Sequence, residues 1–337
     1  MTIQEKQIYY RIVALWAISE AILGGIIHGF KLPISGLIVG SFAVICVSLI
    51  GYLLPQKGLI IKATLIVALI KMTMSPQSPF MAYVAVIFQG IMGELIFRGK
   101  KHYQLRCYLF SLIALLESAF QRIIIMTVIF GVRFWEAVNE FINKLTNGET
   151  GTNYSFYFVA LYISIHVFAA ILVGRFSSRL PKFLSETEED KAIFQLKDRD
   201  VEDTSLVKLK KKKFNLIFII WILLTGIFIH AAIFPDKALL PKGETFKFIF
   251  RSSFLLLTWY FVLAPILVRV LKQFLENKKS KLKEELEEIM LLLPTTKRLV
   301  QLSWQLSRTK KGWERLTFFW HCVIVNTLTI DKIRPAN

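Results

Sequence analysis

Glu117, Gln121 and Arg122 lie in the middle of an apolar run from Leu105 to Val132. With a helical rise of 1.5 Å per residue, Glu117 sits roughly 18 Å into that run, close to a bilayer midplane. Ionised groups at that depth are costly. They must face protein or water, and by default they mark a binding or conduction site. Glu117 and Gln121 share one helical face, and Ser118 and Arg122 share the next. Other apolar runs carry groups of the same kind. Lys71 shares a face with Thr64, Ala68 and Ser75 and precedes Ser75-Pro-Gln-Ser-Pro79, whose prolines break a helix and free backbone carbonyls. Gln89 belongs to Gln89-Gly-Ile-Met-Gly-Glu94, and His166 lies near the middle of a later run. Together they form a hydrogen-bonding and ion-pairing set for a small polar solute: Lys71, Gln89, Glu117, Gln121 and Arg122, with Glu20 and His166 beside them. Both signs of charge are present, so the set leaves the solute's charge open. The competing reading is structural, with Glu–Arg or Glu–Lys pairs between helices.

The elements that must position these groups are membrane helices. The chain has 337 residues, 54% of them hydrophobic, with 28 Phe and a mean hydropathy of +0.52. That is too apolar for an ordinary soluble protein of this length. A span needs about 20 mostly apolar residues, and about eight windows approach this: Ile8–Phe30, Leu32–Leu54, Leu59–Met74, Phe80–Phe97, Leu105–Val132, Tyr154–Phe176, Phe214–Phe234 and Phe248–Leu271. The expected fold is therefore an all-α, polytopic membrane protein with spans arranged 6+2. No cleavable signal is expected, because the first run carries Glu20 and His28.

Charge sets the topology. The net charge of +18 falls mainly in alternate loops: Arg98, Lys100, Lys101 and Arg106 after the fourth window, Arg175, Arg179, Lys182 and the Lys208–Lys213 run after the sixth, and Lys272, Lys278, Lys279, Lys281 and Lys283 after the eighth. Both termini are thereby expected in the cytoplasm, with anionic lipid headgroups rather than nucleic acid as the partner of the lysines. Cys46, Cys107 and Cys322 are far apart and give neither a disulfide framework nor a metal spacing. No metal or other cofactor is expected.

The first window adds a row of small residues: Ala17, Ala21, Gly25 and Gly29 recur every fourth position, a pattern that lets membrane helices approach closely. Trp16, Glu20, Gly24 and His28 run beside it. Gly36 and Gly40 repeat the spacing on the second window and offer that row a matching surface. The chain then divides into a six-helix bundle over 1–180, a charged cytoplasmic linker over 181–213, two membrane helices over 214–275 and amphipathic cytoplasmic helices over 276–337. In the last region Leu282, Leu286, Ile289 and Leu293 form one apolar stripe and Leu299, Leu302 and Leu306 a second, with Pro294 expected to end the first helix. Leu316–Ile330 is apolar but short for a span.

No Walker loop, His-Glu-x-x-His pair, Gly-x-Ser-x-Gly elbow or dinucleotide fingerprint is present. ATP-driven transport would need a separate ATPase subunit. A bundle of about six spans with both ends inside, an Ala17-xxx-Ala21 first helix and a Gly/Pro-rich outer half resembles the substrate-binding S component of energy-coupling factor transporters. The resemblance covers about Met1–Arg179 and implies that the first-helix small-residue face docks a transmembrane partner, with the polar site in the outer half. Residues 214–337 look distantly like a T component, although its usual Ala-Arg-Gly coupling motif is matched only by Leu306-Ser-Arg-Thr309. Glu94-Leu-Ile-Phe-Arg98 looks like part of the first motif of CAAX-type intramembrane proteases, which carries paired glutamates where this chain has Gly93-Glu94. Loss of the leading carboxylate removes the general base.

The expectation is a non-enzymatic membrane transport protein importing a small polar molecule of the vitamin or precursor class, with separate ATPase and coupling subunits as partners. A bacterial inner membrane is the simplest setting. The alternatives are a non-transporting scaffold that recruits a soluble protein and a degenerate CAAX-type protease.

Overall fold

The structure is a computed structural model that describes residues 1–23, 35–75, 78, 80–99, 101–146, 153–186, 192–196, 254, 257–258, 261–262 and 264–329. These residues are 88% helical and contain no strand. The helices are α1 (Ile3–Ile18), continued by a π-turn over Ser19–Leu23, then α2 (Ser35–Leu53), α3 (Leu59–Met74), α4 (Phe80–Ile96) and α5 (Tyr103–Phe130). They are followed by α6 (Arg133–Thr146), α7 (Tyr154–Leu184), α8 (Ala264–Leu306) and α9 (Gly312–Leu328). The chain divides into two compact units, one of residues 1–119, 164–206 and 272–337 and one of 120–163 and 207–271.

The first unit is built around α1. A capping box starts the helix: the Thr2 hydroxyl accepts from the Glu5 N–H at 3.2 Å, and the Glu5 carboxylate accepts from the Thr2 N–H at 2.8 Å. From Tyr9 to Ala21 every residue is buried. A helix enclosed on all sides needs apolar residues all round, and any charge inside it needs a partner. Arg11 and Glu20 are the two charged members of that stretch. Arg11 donates to the Leu328 carbonyl at 2.8 Å, meeting the electronegative end of α9. α1 packs on α2, α3 and α9, and α3 packs on α4.

Gly36 and Gly40 on α2 face α5. A Cβ at Gly36 would clash with the Ser118 hydroxyl, and one at Gly40 would stand 2.9 Å from Leu115. The four-residue small spacing is thus used for close helix approach, with α5 as the neighbour. Of the expected docking row on the first helix, Ala17 and Ala21 are buried among the chain's own helices, and Gly25 and Gly29 lie outside the described residues.

Three described helices are long and apolar enough to cross a membrane: α2, α5 and α7. α4 is apolar but shorter, with 17 residues. α5 and α7 carry large apolar residues that no other part of the described chain covers, among them Leu105 at 67% exposure, Val128 at 65%, Leu161 at 62% and Phe168 at 64%. Such extensive apolar exposure suits a lipid solvent. The expected windows at 214–234 and 248–271 fall wholly or mostly outside the described residues.

α8 differs from expectation at Pro294, which lies inside a continuous helix. Proline deletes one backbone donor and strains the preceding turn. Here Leu282, Leu286, Ile289 and Leu293 before the proline and Leu299 after it are all buried, and this packing on both sides holds the helix through the proline. Lys62 of α3 reaches Glu285 of α8 at 2.6 Å, and Lys6 of α1 lies 3.7 Å from Glu288. On α9, His321 stacks on Phe183 with ring centroids 4.1 Å apart, and burial pushes its imidazole down to about 4. Asn326 donates to the Phe194 carbonyl at 2.7 Å and accepts from the Leu196 N–H at 2.9 Å, tying the short 192–196 segment to α9.

The second unit contains the end of α5, α6 and the start of α7. Trp135 donates to the Thr127 hydroxyl at 3.0 Å, and Asn139 accepts from the Ser155 N–H at 2.6 Å, so the amphipathic α6 is pinned to both neighbours.

Candidate functional site

The most completely buried charged groups of the first unit meet one another. Lys71 near the end of α3 and Glu20 in the π-turn after α1 form an ion pair at 2.6 Å, with side-chain exposures of 1% and 3%. Lys71 also donates to the Ala82 carbonyl at 3.2 Å and lies 5.7 Å from the centre of the Tyr83 ring. Irregular backbone brings these groups together. The π-turn over Ser19–Leu23 shifts the helix register where Glu20 leaves α1, a distortion frequent at functional positions. α3 ends at Met74, and the Ser78 hydroxyl donates to the Ser75 hydroxyl at 3.0 Å before α4 begins. The Ala82 carbonyl, in the first turn of α4, faces the ammonium; Pro76, Gln77 and Pro79 of the expected Ser75–Pro79 break lie outside the described residues.

Several polar atoms in the same unit are buried without a hydrogen-bond partner: the Tyr83 hydroxyl, the Gln89 carbonyl oxygen and the Trp16 indole nitrogen. Trp16 stands one turn before Glu20 on α1, and Tyr83 stands beside Lys71. Gln89 sits two turns along α4 from Tyr83 and approaches α2 at Gly40, where a Cβ would stand 3.5 Å from the Gln89 amide nitrogen. Each orphaned group forfeits a hydrogen bond worth about 1–3 kcal/mol of desolvation, an expense that a bound polar ligand would offset.

The expected binding set is thus brought together only in part. Glu20 and Lys71 are in contact, and Gln89 is buried on the adjoining α4. Glu117 is on α5 and half-buried, with its Oε2 lacking a partner. Gln121 and Arg122 follow on α5 within the second unit, where Arg122 hydrogen-bonds Tyr162 of α7. His166 is completely buried on α7. Glu94, the carboxylate of the protease-like motif, accepts from the Gly58 N–H at 2.7 Å at the turn that opens α3. Gly58 has φ +85°, a conformation that glycine adopts without strain.

Sequence reasoning left out Arg11, Trp16 as a donor, and Tyr83. For Arg11 the signal was available, since a guanidinium inside the first apolar run is as anomalous as Glu20. For Tyr83 there was none, because an aromatic residue in an apolar helix is ordinary until its hydroxyl is seen to be enclosed.

No protein family, curated protein or solved structure matches the chain.

Proposed function

We propose that the chain is a multi-pass membrane transport protein whose first unit binds a small polar molecule beside the Glu20–Lys71 pair. The single observation that carries this reading is the pair itself: opposite charges 2.6 Å apart and almost without solvent contact, held where two helices lose regular geometry. A stable bundle gains little from such a pair, because apolar residues of similar volume stabilise as well or better. Buried charge at this depth is therefore best accounted for by binding.

The pair carries no net charge, and the unpartnered Tyr83, Gln89 and Trp16 atoms supply two donors and one acceptor. A solute rich in hydrogen-bonding groups fits this set, and a vitamin or vitamin precursor belongs to that class. Uptake from the outer side would pass the Ser75–Pro79 break, and separate ATPase and coupling subunits would supply the energy, as the resemblance to energy-coupling factor transporters implies.

The scaffold reading has one observation in its favour. Lys71 and Glu20 satisfy each other directly, so the pair is complete without a ligand. The two readings separate in a thermal-shift screen of the purified full-length protein against amino acids, nucleosides and water-soluble vitamins, followed by counterflow of any stabilising compound in proteoliposomes. Saturable uptake of one compound class supports transport. Absence of both stabilisation and uptake supports the scaffold.

A further inference from the structure

A second site lies in the first unit, away from the ion pair. α5 and α7 run antiparallel in contact: the Ser111 hydroxyl donates to the Ala170 carbonyl at 2.8 Å, and the Tyr103 hydroxyl donates to the Ser177 carbonyl at 3.4 Å. Where α5 begins and α7 approaches its end, an open groove is lined by Tyr52, His102, Tyr103, Ser178, Arg179 and Lys182. The positive-inside pattern places this end at the cytoplasmic surface. His102, Arg179 and Lys182 are all exposed, and no carboxylate lines the groove. His102 has φ 56°, a left-handed conformation uncommon for a residue with a side chain, and its carbonyl accepts from the Arg106 N–H at the first turn of α5.

An apolar track leads out of this groove. Leu105 lines it at 67% exposure, and Leu109 follows one turn along α5 at 46%. On α7, the turn before Arg179 carries the exposed Arg175, and the turns beyond it bring Ile171 at 51% and Phe168 at 64%. Basic groups at the end of two spans, continuous with exposed apolar residues on both, match the two halves of one amphiphile.

We propose that this groove binds the headgroup of an anionic phospholipid, with an acyl chain lying along Leu105 and Leu109 of α5 and Ile171 and Phe168 of α7. Arg179 and Lys182 pair with the phosphate, and the Tyr52 and Ser178 hydroxyls lie at headgroup level. The two aromatic rings, Tyr52 and Tyr103, stand 5.3 Å apart at the interface depth preferred by tyrosine. The site is independent of the transport reading and requires only that α5 and α7 face lipid.

The test is native mass spectrometry of the delipidated full-length protein titrated with phosphatidylglycerol or phosphatidylcholine of the same chains. The expected result is one phosphatidylglycerol adduct formed at least about tenfold more tightly than phosphatidylcholine, an advantage that Arg179→Gln with Lys182→Gln abolishes. Lys310→Gln with Lys311→Gln removes the same charge outside the groove and keeps the adduct. Equal binding of the two lipids, or equal loss in both double variants, would overturn the proposal. Displacement of the adduct by millimolar inorganic phosphate would assign the groove to a soluble anion and also overturn it, whereas persistence supports the lipid. If the neutralised variant does not fold, Leu105→Asp probes the same site from the acyl side. Loss of the adduct supports the proposal, and its survival overturns it.

Discussion

Two lysines of α3 make ion pairs of identical length in very different surroundings. Lys71 meets Glu20 at 2.6 Å with 1% and 3% side-chain exposure, while Lys62 meets Glu285 at 2.6 Å with 36% and 22%. Distance therefore says nothing about what each pair does. In the more exposed pair, water reaches both side chains, and closing the contact gains less. In the enclosed pair, each charge depends on the other, and removing one strands its partner in a medium that cannot solvate it. One end of α3 is fastened to α8 by a dispensable surface contact. The other end holds a group that cannot be changed alone.

The largest effect should come from breaking the enclosed pair on one side. Lys71→Ala or Glu20→Ala is expected to cost about 3–5 kcal/mol, read as a fall in unfolding midpoint of the detergent-solubilised protein. Replacing both charges by apolar residues of similar size should recover most of that loss, which separates the pair's enclosure from mere packing. A coupling energy near zero in the double-mutant cycle would remove the distinction between the two pairs.

Next comes the helix contact that supports the site. A Cβ at Gly90 would clash with the Thr64 hydroxyl. Gly90→Ala should therefore cost about 1–3 kcal/mol through overpacking, and Thr64→Ala in the same chain, which keeps the Thr64 Cβ 2.7 Å from the new methyl, should relieve only part of it. Unchanged stability of Gly90→Ala would show that α3 and α4 are further apart than the geometry gives.

His321 extends the comparison to proton binding. Its folded-state value near 4 is below the ordinary 6.5, so the unfolded chain takes up the proton first. This group's contribution to stability is complete above pH 6.5 and declines as pH falls towards 4, by on the order of 3 kcal/mol. His321→Phe should flatten that part of the pH profile, and an unaltered slope would place the titration elsewhere. The smallest effect belongs to the exposed pair: Glu285→Ala should cost under about 1 kcal/mol and be indistinguishable from wild type at high salt.

Much of this architecture is legible in the sequence, because apolar runs and small-residue spacing act locally. The α2, α5 and α7 windows read as spans and are helices of spanning length. The four-residue row on α2 reads as a close-approach surface, and Gly36 and Gly40 meet α5 as closely as that spacing allows. What spacing cannot convey is the identity of the neighbour: the row was matched to the first helix, and its partner in the fold is α5. Pro294 reads as a helix end because a proline rule considers one backbone donor, whereas the buried leucines on either side are a tertiary fact. At the site, each of Glu20 and Lys71 is conspicuous alone as a charge in an apolar run. Their contact joins residues 51 positions apart and depends on a π-turn that no residue pattern announces.

The most direct test of the central claim compares the small-molecule content of the protein purified from its own host with that of a variant carrying Glu20→Leu and Lys71→Met. The account predicts that the variant folds with nearly wild-type stability and loses a small polar molecule that the wild-type protein retains in mass spectra of the denatured sample. Equal retention of that molecule by the folded variant would contradict it.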